Sequence, residues 1–191
     1  IDDRKIGNIL TNATIKVNIL KGLTYDASLT YQNSEIKRNV YDKQASTLKI
    51  GSNGFAQRNE YANRKSLFEN YLTYENTFGQ NKLTLLGGYS WEENKLNDGF
   101  QAANSNFVTD DLLYYNLSLG SSPDKVTNDE RFGTATIQTL RLISFYARLN
   151  YEFANRYLLQ ATVRRDGSSA FGTNNQWGTF PSISLGWRIT N

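Results

Sequence analysis

Residues 142–188 read LISFYARLNYEFANRYLLQATVRRDGSSAFGTNNQWGTFPSISLGWR, and their spacing decides the fold. In the first run Ile143, Phe145, Ala147, Leu149, Tyr151 and Phe153 fall on one face, with Ser144, Tyr146, Arg148, Asn150 and Glu152 on the other. A short turn at Ala154 and Asn155 leads to a second run, in which Tyr157, Leu159, Ala161 and Val163 alternate with Gln160, Thr162 and Arg164. After a glycine-bearing loop, Ile183, Leu185, Trp187 and Ile189 alternate with Ser182, Ser184, Gly186 and Arg188. A period of two sustained over this length predicts antiparallel strands with one apolar and one polar face.

The same pattern recurs upstream. A first strand is expected at about 12–20, with Ala13, Ile15, Val17 and Ile19 on one face, and a second at 23–33, with Tyr25, Ala27, Leu29 and Tyr31. A third is expected at 66–78 and a fourth at 83–93, where Leu86 breaks the alternation. A further short strand at Leu113 to Leu119 is suggested by its apolar residues. Tight turns fall at Lys21-Gly22, Gly79 to Lys82 and Ala154-Asn155, and long loops at 34–65, 93–138 and 166–178. The result is an up-and-down meander of seven strands, with short turns at one end and long loops at the other. The first long segment carries seven basic and three acidic residues, and the second seven acidic and three basic.

Composition narrows the function. The 191 residues include no Cys, Met or His. No disulfide, thiolate metal site or histidine-based nucleophilic relay can be built from them. A net charge of +3 with both signs interspersed gives no case for nucleic acid as a partner. Aromatic residues make up 13%, with 12 Tyr, and only 2 residues are Pro, a composition suited to long strands. The chain opens IDDRKIGNIL, without a signal-peptide pattern, and no run approaches the roughly 18 apolar residues of a membrane helix.

Alternation fits either a soluble β-sandwich or a membrane barrel. In the sandwich the apolar faces meet in a dry core. In the barrel they meet lipid, and the polar face lines the lumen. Strands of ten residues or more, aromatics near strand ends (Tyr25, Tyr31, Phe68, Phe78, Tyr89, Trp91, Phe153, Tyr157, Trp187) and alternating loop lengths favour the barrel. Seven strands leave two open edges, so the chain is expected to be a fragment of a larger barrel.

The stretch 164–188 resembles the barrel of SusC/RagA-type TonB-dependent outer-membrane receptors. It carries Arg165 to Ser169, Asn174-Asn175, Trp177-Gly178, Phe180 to Ser182 and Gly186-Trp187 as that family does, and 75–93 is similar too. The resemblance implies a 22-stranded barrel plugged by an N-terminal domain, in the outer membrane of a Gram-negative cell, importing oligosaccharides or oligopeptides. TonB would drive it, and a SusD-like surface lipoprotein would be its partner. On that view residues 1–191 are part of the barrel, without the plug or the signal peptide, and the protein is not an enzyme and needs no cofactor or metal. The alternatives are a passive porin-like barrel and a soluble β-sandwich glycan-binding module.

Candidate ligand contacts are Tyr114, Tyr115 and Trp177, whose ring faces suit the C–H faces of sugars. Phe100 and Phe107 lie in the same expected long loop as Tyr114 and Tyr115. The acidic pairs Asp110-Asp111 and Asp129-Glu130 lack the spacing of a calcium loop and read as solvated loop charge. Arg165-Asp166-Gly167 reads as a structural turn, with Gly167 supplying positive φ. Lys16, Asp26, Glu69, Glu75, Arg148 and Arg164 belong to the hydrated polar face, where cross-strand charge pairs are expected.

Overall fold

The computed structural model describes residues 1–49, 51–121, 132–134 and 137–189. They form β1 (Asp2–Leu20), β2 (Leu23–Asp42), β3 (Phe55–Phe78), β4 (Asn81–Ser105), β5 (Phe132–Thr134), β6 (Gln138–Phe153), β7 (Tyr157–Ser168) and β8 (Trp177–Trp187). All lie in one sheet, in the order β1-β2-β3-β4-β6-β7-β8, with the short β5 paired to β4 beside that path. The seven-stranded antiparallel meander is therefore present.

The chain divides into two compact units. One comprises Leu10–Tyr31, Lys65–Asn94 and Leu140–Asn191, the other Ile1–Ile9, Gln32–Arg64 and Lys95–Thr139.

The first unit holds the alternating segments and the tight turns. Gly22 takes φ 81° in the β1–β2 turn, which a side chain would oppose. Ala154 and Asn155 both have positive φ, and the Arg156 N–H donates to the Phe153 carbonyl at 3.0 Å. This is a type I′ hairpin, whose twist matches that of the flanking strands. Register then follows. Leu149 pairs with Ala161 and Ala161 with Ile183; Tyr151 pairs with Leu159 and Leu159 with Leu185. Apolar residues stand beside apolar residues across three strands, and Asn150, Gln160 and Ser184 form the matching polar row.

The second unit departs from the sequence expectation. β2 runs on to Asp42, β3 begins at Phe55 and β4 runs to Ser105, so much of 34–65 and 93–138 is strand rather than loop. Water on both sides of a strand imposes no alternation, and the backbone ladder alone holds such segments extended. Leu113–Leu119 is not a strand. Residues 111–115 turn, Leu113 takes φ 47°, and Leu117–Leu119 is a single turn of 3-10 helix capped by the Asn116 side chain. These leucines pack on a small core of Tyr41, Ala56, Phe107 and Tyr114.

The third loop is shorter than expected as well. β7 continues through Ser168 and β8 starts at Trp177. Gly167 is thus a strand residue facing Trp177, not a positive-φ turn residue. A Cβ at Gly167 would lie 2.9 Å from three atoms of the Trp177 indole, so the missing side chain makes room for the ring.

Candidate functional site

The first unit presents a two-faced sheet. On its apolar face Ile15 is 60% exposed, Leu29 53%, Phe145 50% and Leu185 79%. In a sandwich these side chains would converge in a shared core. Here they line one face of a single sheet and are open to the surroundings, which rules out the sandwich reading.

Aromatics bound that face at two levels. Near the tight turns Phe153 pairs with Tyr157, and Tyr157 with Trp187; the Phe153 and Tyr157 rings stack at 6.3 Å. Toward the loops Ile143 pairs with Gly167, and Gly167 with Trp177. Trp177 stacks on Phe145 at 6.3 Å, Phe145 lies 5.2 Å from Tyr89, and the Arg165 guanidinium sits 5.2 Å from the Trp177 ring centre. Trp177 and Trp187 are ten residues apart, about 33 Å along an extended strand. Tilted by about 40°, that length spans about 25 Å along the membrane normal, the height of a barrel's apolar band. Between the two levels Leu72, Leu85, Ala147, Ala161 and Ile183 line an apolar groove of about 610 Å³. Its small residues leave room for hydrocarbon chains to pack between larger neighbours.

The opposite face is polar and internally paired. Lys16 meets Asp26 at 3.8 Å and Arg188 meets Glu152 at 2.9 Å. Arg164 meets Asp166 at 2.7 Å and donates to the Ser144 hydroxyl at 3.0 Å. Lys16 and Asp26 form a cross-strand charge pair of the kind expected from the sequence, whereas Asp166 pairs along its own strand with Arg164.

The second unit carries the loop residues singled out by sequence. Tyr114 is only 6% exposed, and its hydroxyl donates to Asp3 at 3.1 Å. Tyr115, its neighbour, is 68% exposed, with its ring centre 4.7 Å from that of Tyr114. The structure thus gives one tyrosine to the loop core and the other to the surroundings. Trp177 belongs to the aromatic level of the apolar face described above. Asp110 accepts from the Tyr41 hydroxyl at 2.8 Å and from the Gln44 N–H at 3.1 Å, so it ties its loop to the end of β2. Asp111 accepts from Thr109 at 2.8 Å. The pair Asp129-Glu130 lies outside the described residues.

Burial, with the hydrogen bond to Asp110, pushes the Tyr41 phenol well above its ordinary range. The Tyr115 hydroxyl, burial and Asp3 do the same for Tyr114. Sequence alternation gave no sign of this tyrosine-centred core. Segments of opposite charge nevertheless meet here as their signs invite: Arg64 pairs with Asp98.

A single meander with one face apolar and exposed, aromatic at two levels ten residues apart along β8, and with the other face polar and paired, is part of the wall of a membrane-spanning β-barrel. A family model described as TonB dependent receptor-like, beta-barrel matches residues 3–191. The chain belongs to that family, which is one of receptors and transporters rather than enzymes.

Over 193 residues it is 32% identical to TonB-dependent receptor P3 of Formosa agariphila, covering 99% of this chain and 18% of that protein. Over 60 residues it is 53% identical to TonB-dependent receptor SusC of Bacteroides thetaiotaomicron, covering 31% of this chain and 6% of that one. The structure of the RagAB peptide transporter superposes with a TM-score of 0.82 at 22% identity, over 96% of this chain and 20% of that chain, a likeness of fold. The chain spans 18% and 17% of the length of two curated relatives from Formosa agariphila.

Proposed function

We propose that this chain is part of the barrel of an outer-membrane, TonB-dependent transporter that imports oligosaccharides, or oligopeptides, into a Gram-negative cell. TonB supplies the energy, and a SusD-like surface lipoprotein is the partner. The observation that carries this reading is the apolar face with its two aromatic levels, in a chain of the TonB-dependent receptor family. Oligosaccharide and oligopeptide both stay open as substrate classes, the latter in keeping with the fold shared with the RagAB peptide transporter. Within this chain the contact we assign to the ligand is Tyr115, exposed and backed by the ring of Tyr114. Trp177 is assigned to the lipid boundary instead, since Phe145, Arg165 and Gly167 hold it on the apolar face.

The test is uptake by cells expressing the full-length protein that carries this segment. Cells are offered labelled oligosaccharide or oligopeptide pools, with and without TonB. Accumulation that depends on TonB and favours one pool supports the reading and names the substrate class. Entry that is unchanged without TonB identifies a passive channel and overturns it.

A further inference from the structure

Arg165 stands apart on the apolar face. It pairs with Phe145 on one side and Thr179 on the other, one row nearer the middle of the band than Trp177. Among the paired residues of that face on β6, β7 and β8, between the two tryptophan rows, it is the only charged one. A cation facing hydrocarbon is costly unless its head reaches the interface. Arg165 meets this requirement by lying over the Trp177 ring, its guanidinium carbon 5.2 Å from the ring centre.

Its charge is not met by the described residues. Among the described residues no carboxylate lies within ion-pair distance of Arg165. Asp166, next in sequence, points to the other face and is held by Arg164. Arg141, the other arginine at the loop end of β6, is already paired with Glu93 at 2.7 Å. Arg165 is therefore an exposed cation with an aromatic shelf on one side and its N–H fork open. A guanidinium fork matches two phosphate oxygens. At this level of a barrel wall, the medium facing the fork is the headgroup layer of the outward-facing leaflet.

We propose that Arg165, seated on Trp177, binds the phosphate of a lipid in that leaflet, with Trp177 and Phe145 packing against the start of its acyl chain. This site rests on the apolar face meeting lipid, as the proposed function requires.

The experiment uses the full-length protein in nanodiscs. Native mass spectrometry measures the occupancy of added bisphosphorylated lipid A, and separately of the same lipid after phosphatase treatment. The expected result is retention of the phosphorylated form over the dephosphorylated one by about fivefold, the contribution of one basic residue near an anionic surface. Arg165→Gln should abolish that preference, and Arg165→Lys should keep part of it. Heat-modifiable migration on gels confirms that each variant is folded. Equal retention of both lipids by the unmodified protein, or an unchanged preference in Arg165→Gln, overturns the site. A nitroxide at Ile183→Cys reports oxygen accessibility in the same discs. Lipid-like accessibility with no effect of Arg165→Gln rejects the phosphate site alone, whereas water-like accessibility rejects the membrane-facing assignment as well.

Discussion

Replacing Ala147 with arginine separates the two faces of the sheet more sharply than any other single change considered. Ala147 pairs with Val163, and Val163 with Pro181. That row lies two rows from Trp177 and three from Trp187. Successive rows are about 6.6 Å apart along the strand, or about 5 Å along the membrane normal at a tilt of about 40°. Ala147 thus stands about 10 Å from one boundary and about 15 Å from the other, within about 3 Å of the midplane. An arginine there should cost about 2–4 kcal/mol. Asn150 stands three residues further along β6, about 5 Å beyond the midplane on its other side, and belongs to the polar row of Gln160 and Ser184. Asn150→Arg should cost within about 0.5 kcal/mol of nothing, as a hydrated surface change does. The assay is a reversible denaturant titration of the full-length protein refolded into short-chain phosphatidylcholine vesicles, with both variants compared under one condition. Equal costs, or a larger cost at Asn150, would refute the assignment of the faces and the placement of the midplane with it.

Three further outcomes follow from the geometry. Gly167→Ala puts a methyl group 2.9 Å from the Trp177 indole, so it should destabilise by about 1–3 kcal/mol and move the ring, which tryptophan fluorescence of the full-length protein reads as a shifted maximum. Tyr41 holds its proton more tightly folded than unfolded, so its contribution is fully present below about pH 10 and is lost as pH rises beyond that. Absorbance at the phenolate band should show late-titrating phenols whose ionisation accompanies loss of loop structure, and one fewer in Tyr41→Phe. Tyr115→Ala should weaken ligand uptake while leaving thermal stability within about 0.5 kcal/mol, because the side chain is largely exposed; lost stability with unchanged uptake would remove it from the ligand surface.

The membrane-crossing strands were legible because lipid and water lie on opposite faces of one sheet. That contrast writes a period of two into β6, β7 and β8, and register follows once the hairpin at Ala154 and Asn155 is recognised. The extensions of β2, β3 and β4 were hidden for the converse reason. Within β4, Asn97 takes φ 58° and its N–H donates to the Asn63 side chain at 2.9 Å, the mark of a β-bulge, which no alternation announces. Leu113 and Leu119 misled because their apolar character serves a small loop core rather than a strand face. The adjacent Tyr114 and Tyr115 show the limit most clearly. They are the same residue type at neighbouring positions, yet only the packing of Tyr41 and Phe107 decides which of them is buried. Arg165-Asp166-Gly167 looked like turn chemistry, and its members turned out to serve three separate contacts along a strand.

The two tryptophans of β8 also act as a gauge of bilayer thickness. The hydrophobic span they mark, about 25 Å, is shorter than the roughly 30 Å hydrocarbon core of an average bilayer and suits the thinner outer membrane. In a thicker bilayer the acyl chains must compress around the wall, or Arg165 and the turn at Ala154 are drawn into hydrocarbon, and either adjustment costs a fraction of a kcal/mol for each ångström of mismatch. Such a mismatch would favour thinner bilayers for the full-length barrel, by a fraction of a kcal/mol per ångström.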